Sequence, residues 1–232
     1  MIQTGTTSAN ATSIVNGDTT NNGLGNANAI SWYTFDASVS DADIEAKEAE
    51  IEDAWWPNTV NKLKQELAEY QRKRSFVGYH SDNLADMKTI VDGDAKNYGS
   101  VVPTFSLGRY QKPRIDTPVT WITSWGSPSL PYGGRYTDEP TATEITAGLL
   151  DVLNYNKQNY STFKANNVLM FAWNEFTEGG WICPTYGDGS APNTTHLEAV
   201  KSAIDIYRTS EQYTLLTTDV NGTLTNSSGT VI

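Results

Sequence analysis

The sequence predicts an α/β fold, in the form of a partial (β/α) barrel of the TIM type with four or five parallel strands, and three observations predict it. Short β-branched and aromatic runs alternate with segments of helical periodicity, the pattern of parallel strands joined by crossover helices. One apolar run, at 168–172, opens directly into the polar Trp173-Asn174-Glu175, and strand ends of this kind carry the site loops of α/β enzymes. The chain is also short. Setting aside a polar lead-in and a tail from the 232 residues leaves about 185, whereas a closed eight-stranded barrel needs about 250 and at the least about 200.

Residues 1–27 are almost entirely Thr, Ser, Asn, Gly and Ala, a composition that buries too little surface to offset chain entropy and reads as a flexible lead-in. The α/β domain is expected over 28–210. Its first strand is placed at 29–35 (AISWYTF). Between Asp41 and Arg74 the apolar residues Ile44, Ile51, Trp55, Val60, Leu63, Leu67 and Tyr70 recur near a 3.6 period, with Pro57 marking the boundary between two helices. Strands are expected at 75–80 (SFVGYH) and 100–106 (SVVPTFS), with a helix between them at 82–91 opening on an Asp cap. Thr141 and Glu144 form a capping box ahead of the apolar stripe Ile145, Leu149, Leu150 and Leu153, which predicts a helix over 141–160. A further strand at 168–172 and a helix at 195–207 complete the domain. In the tail, 211–232, Thr/Val/Leu alternation around Asn221-Gly222 predicts a hairpin or a linker.

The formal net charge of -11 argues against nucleic acid or an anionic membrane surface as a partner. A single cysteine, Cys183, cannot close an intrachain disulfide, and two histidines, His80 and His196, leave little material for a zinc centre or a His-based triad. Asp92-Gly-Asp94 lacks the twelve-residue loop of a strong calcium signal, so no metal and no cofactor are expected. Seven Trp and 12 Tyr against 19% charged residues suit a protein that stacks flat rings on sugars. No run of 18 apolar residues and no charged start followed by an apolar stretch is visible, so neither a membrane span nor a secretory leader is predicted from the chain.

Glu175 and Glu178 stand three apart in WNEFTEGGWICPT, followed by Gly179-Gly180, which permit a tight turn and close approach of a ligand to backbone. Two carboxylates in one loop are what glycoside cleavage uses: one protonated carboxyl for the leaving oxygen and one carboxylate at the sugar, their acidities separated by apolar surroundings. Trp173, Phe176 and Trp181 supply such surroundings and a stacking floor. As a bare pattern, Glu-x-x-Glu is far more often two solvated loop residues beside core tryptophans, and it is the neighbouring residues that favour the site.

This string resembles the strand-end motif of the endo-α-mannosidase-like enzymes of glycoside hydrolase family 99 and their relatives from bacterial polysaccharide loci, which carry Asn-Glu-aromatic-x-Glu-Gly and then a short run to Pro. The resemblance implies a glycosidase in which Glu175 assists attack by the sugar's own 2-hydroxyl and Glu178 is general acid/base. A second stretch, 101–121, resembles the family's preceding strand and loop, where Gly-Trp-Asp is followed by Arg-Pro-Arg; Gly108, Pro113 and Arg114 match, and Arg109 and Tyr110 stand where the Trp-Asp pair would be. The similarity spans roughly 28–208, is strong over 167–185, and corresponds to the C-terminal half of such a barrel.

The expected substrate-binding residues are Trp173, Asn174, Trp181, Trp121, Trp125, Arg109 and Tyr110, with Trp121 and Trp125 as sugar platforms in a Gly/Pro/Ser-rich loop. Arg109, Lys112 and Arg114 could clamp an anionic sugar or a phosphate, although a basic cluster beside Tyr110 is more often a solvated loop. The expected function is cleavage of a polysaccharide or oligosaccharide by a secreted or cell-surface enzyme. The alternatives are a carbohydrate-binding protein without turnover and a half-barrel whose exposed sheet edges pair with another copy into a homo-oligomer.

Overall fold

A computed structural model describes residues 2–3, 30–31, 39–92, 101–117, 136–163, 166–187, 191–210, 217–218 and 224–225. Two short strands, β1 (Ile2–Gln3) and β2 (Ile30–Ser31), pair in parallel. Helices α1 (Asp41–Asp53) and α2 (Pro57–Arg74) follow. Ser40 caps α1 through a reciprocal box with Asp43, and Pro57 opens α2, where its missing N–H costs nothing. Neither helix buries a residue fully. Lys47 joins them, reaching Glu50 at 2.8 Å and Glu66 at 3.0 Å.

The third helix, α3 (Phe76–Asp92), occupies the segment expected to be a strand at 75–80. Phe76, Val77 and Tyr79 carry β propensity, but the buried side chains Phe76, Tyr79, Asn83, Met87 and Val91 recur at a helical spacing of three and four. Its start is fixed by Ser75, whose Oγ accepts from Gly78 N at 3.0 Å, and not by Asp82, which pairs with Arg72 at 3.1 Å.

Strand β3 (Thr104–Ser106) is wholly buried and pairs in parallel with β4 (Leu169–Phe171) in the register Thr104–Leu169, Phe105–Met170 and Ser106–Phe171. The chain between them carries α4 (Lys112–Asp116), α5 (Ala142–Gln158) and α6 (Tyr160–Phe163). The capping box of α5 is present as expected, and replacing Thr141 by Ala is expected to cost about 1 kcal/mol, lowering Tm by about 2–4 °C in a thermal melt. Beyond β4 come β5 (Asn174–Glu175), β6 (Gly180–Trp181), β7 (Thr185–Tyr186), β8 (Pro192–Asn193) and α7 (Thr195–Ser210). Strands β9 (Thr217–Thr218) and β10 (Leu224–Thr225) form an antiparallel pair, while Asn221 and Gly222, where the turn is expected, lie outside the described residues.

The core lies where α5 packs on α7 and also meets β3 and α3; Phe76, Phe105, Leu107, Ile145, Leu149, Val152 and Ala203 are its centre. Thr146 Oγ1 also donates to Ala199 O at 3.1 Å across the helix pair.

The partial barrel is not what these elements build. Among the described residues the protein is mainly helical, and its strands form five separate two-stranded sheets, of which β1–β2 and β3–β4 are parallel and the others antiparallel. One strand-helix-strand crossover, β3 to β4, survives from the expected alternation. The segment at 75–80 became helix, and α1, α2 and α3 pack on one another in succession, so no row of adjacent parallel strands assembles.

Candidate active site

Phe171 O accepts from Leu107 N at 3.3 Å, which ties the end of β4 to the loop leaving β3. Two residues on, the chain turns through the β5–β6 hairpin, with Asn174 opposite Trp181 and Glu175 opposite Gly180. A 3₁₀ turn, Phe176–Glu178, joins the strands and ends on Gly179 at φ +79°. Trp173 O accepts from both Ile182 N and Cys183 N at 3.0 Å, closing the hairpin base. Gly179 serves two purposes. Its backbone is left-handed, and a Cβ there would lie 2.4 Å from Tyr110 N, so the turn seats directly against the 107–111 loop.

That loop leads into α4, whose Arg114 reaches the turn. Its guanidinium donates to Glu178 Oε1 at 2.6 Å and to Thr177 Oγ1 at 2.7 Å, and lies 3.5 Å from Glu175 Oε1. Arg114 is buried, whereas the Glu178 and Glu175 side chains are 24% and 41% exposed. The two carboxylates thus face solvent from opposite ends of one turn while sharing a cation beneath it.

The other expected site residues sort by position. Trp173 and Phe176 are exposed beside the carboxylates, and Asn174 is exposed on β5. Trp181 is half-buried, 6.4 Å from the Phe176 ring and 4.8 Å from that of His196. The His196 ring is anchored in turn, with Nδ1 2.9 Å from Trp181 O and Nε2 3.7 Å from Glu139. Arg109 and Tyr110 lie on the loop under Gly179. Arg109 is held through its backbone, its N–H donating to Thr137 Oγ1 at 2.7 Å and its carbonyl accepting from Thr137 N at 2.9 Å. Tyr110 sets its ring edge-on to Tyr136 at 6.3 Å. Trp121 and Trp125 lie outside the described residues.

Tyr136 anchors this loop to the helical hairpin. Its hydroxyl donates to Asp41 Oδ2 at 2.6 Å, and Arg74 lies over its ring at 4.5 Å while bonding to both Tyr136 and Asp41. The Tyr136 hydrogen bond, with the Arg74 and Lys112 charges, holds the Asp41 carboxyl below its usual range against the opposing effect of burial. Burial, followed by the bond to Asp41, pushes the Tyr136 hydroxyl up.

Arg114 fits neither of the two sequence readings, a ligand clamp or a solvated loop residue, since it is buried. In the anionic-sugar clamp it faces ligand; in the structure its donors are turned inward onto Thr177 and Glu178. Lys112 pairs with Asp116 at 3.3 Å and lies 3.9 Å from Asp41, so the three basic residues form no common clamp. Nothing local in the sequence links positions 114 and 178.

No family model, curated protein or solved structure matches the chain. Among the described residues, no group of three or more His, Cys, Asp or Glu is placed to hold a metal ion, and no helix is long and apolar enough to cross a membrane.

Proposed function

We propose that the protein is a glycoside hydrolase acting on a polysaccharide or oligosaccharide through Glu175 and Glu178. The observation that supports this reading is the convergence of both carboxylates on one hairpin turn, just past the strand end of β4, with exposed Trp173 and Phe176 alongside. Indole and phenyl faces left in water cost free energy that stacking against the C–H face of a sugar ring recovers. In the roles that the family resemblance implies, Glu175 assists attack by the substrate's 2-hydroxyl while Glu178 gives a proton to the leaving oxygen and later takes one from water. Action on a polymer outside the cell places the enzyme in the secreted or cell-surface class.

The second reading, sugar binding without turnover, is favoured by one contact. Glu178 Oε1 is already committed as acceptor of a 2.6 Å charge-assisted bond, and a general acid must instead present a proton. Reducing-sugar release from a panel of plant, fungal and bacterial polysaccharides separates the two. Wild type is expected to release sugar, and Glu178→Gln to lose about 10²–10⁴-fold of the rate, with circular dichroism unchanged. An inert wild type that still retards on one of those polysaccharides in affinity electrophoresis would establish binding alone.

A further inference from the structure

We infer that Arg114 is the positioning residue of the carboxylate turn, holding Glu175 and Glu178 in working orientation by offsetting their mutual repulsion. It rests on the proposed hydrolase only for its functional consequence, since the electrostatic argument needs no substrate.

The 3₁₀ turn Phe176–Glu178 starts directly after Glu175 and ends on Glu178, so two like charges stand at its two ends, and both lie within 3.5 Å of one guanidinium. A buried arginine is uncommon unless it is paired. Here the guanidinium reaches the Thr177 hydroxyl between the two acids, Glu178 closely and Glu175 more loosely. A guanidinium presents several N–H donors in a fixed plane, which lets one side chain hold three neighbouring oxygens; an ammonium offers a point charge without that fork. The seating of Gly179 against Tyr110 fixes the same turn to the same loop from the other side. The other ionisable groups on the elements packed here are Arg109 and Tyr110 of the loop, and Lys112 and Asp116 of α4, which pair with each other. None of these is among the contacts that link Arg114 to the two glutamates.

The test is a double-mutant cycle by thermal unfolding at pH 7 of wild type, Arg114→Gln, Glu178→Gln and the double variant Arg114→Gln/Glu178→Gln, with Arg114→Lys beside them. Arg114→Gln is expected to lower Tm by several degrees, because it leaves two partly exposed carboxylates on the turn without the cation between them. Arg114→Lys keeps the charge and is expected to lose less. In the Glu178→Gln background the cost of Arg114→Gln should fall by about half or more. A cost that is the same with and without Glu178 would overturn the proposal.

Should Arg114→Gln fail to fold, Glu175→Gln/Glu178→Gln provides the reciprocal measurement. Removing both acids takes two anionic partners from the buried guanidinium and is expected to cost more than Glu178→Gln alone; a double variant no worse than Glu178→Gln alone would equally overturn the inference. The outcome also separates the two proposals. Coupling in the melts with an inert polysaccharide panel removes the hydrolase and leaves the positioning role; hydrolysis that depends on Glu178 with uncoupled melts does the reverse. Where hydrolysis is present, Arg114→Lys should lower kcat several-fold while leaving KM near wild type.

Discussion

Gly179→Ala is expected to dislodge the carboxylate hairpin and to destabilise the protein by about 2–5 kcal/mol, from a left-handed residue costing about 1–2 and overpacking costing about 1–3. The two contributions arise from independent observations. The backbone at Gly179 has φ +79°, where an L side chain is strained whatever the space around it. The space is also taken: an added Cβ meets Tyr110 N at 2.4 Å, its Cβ at 2.7 Å and its Cα at 2.8 Å, and main chain cannot swing aside as a side chain tip can. Relief requires the hairpin and the 107–111 loop to part, and that loop runs straight into Arg114. The ion pair to Glu178 should therefore loosen together with the turn. Gly187→Ala is the matched control, since a Cβ there meets nothing within 4 Å, and a change within about 0.5 kcal/mol is expected. Urea unfolding of the two variants decides the matter: equal midpoints would mean that the turn is not seated on Tyr110.

Helices with strong local signals were legible in the sequence. Pro57 separates α1 from α2 where expected, and the Thr141/Glu144 box opens α5, because a cap and a proline act within one turn of chain. The α/β class was not legible as barrel. Segment 75–80 is apolar and β-branched enough to read as strand, and only burial at 76, 79, 83, 87 and 91 reveals the helical face; that burial is supplied by α5 and β3, far along the chain. The site divides in the same way. Glu175, Glu178, Trp173 and Asn174 were found because they are consecutive or nearly so, and the structure sets them on one hairpin. Arg114 pairs across 64 residues, a separation at which no local pattern carries information, so the sequence leaves it between a ligand clamp and a solvated loop and does not show its pairing with the turn. His196 behind Trp181 escaped for the same reason, 15 residues away on another element.

Phe105→Ala tests whether the core beneath the site supports it, and is expected to cost about 3–5 kcal/mol, a large share of the 5–15 kcal/mol that holds most domains folded. Phe105 is 1% exposed on β3, edge-on to Phe76 at 6.3 Å and to His80 at 6.1 Å. It also lies on α5 where that helix has no side chain: a Cβ at Gly148 would stand 3.0 Å from Phe105 Cε2 and 3.4 Å from Phe76. A glycine inside a helix gives up about 1 kcal/mol against alanine, and the ring packed into the gap offsets that loss. The two positions are therefore complementary, and the sign of one substitution should depend on the other. In wild type Gly148→Ala meets a rigid ring and is expected to be neutral or destabilising in spite of its better helix propensity. In Phe105→Ala the same change fills part of the cavity and should recover about 1 kcal/mol. A double-mutant cycle by urea unfolding reads this directly, and strict additivity would mean that β3 and α5 do not interlock at these residues. Because the parallel register sets Phe105 against Met170 of β4, whose end leads into the carboxylate hairpin, the same cycle also bears on the site. Loss of polysaccharide binding or cleavage by Phe105→Ala should track its unfolded fraction and return with the Gly148→Ala repair, whereas the loss in Glu178→Gln should not respond to it at all.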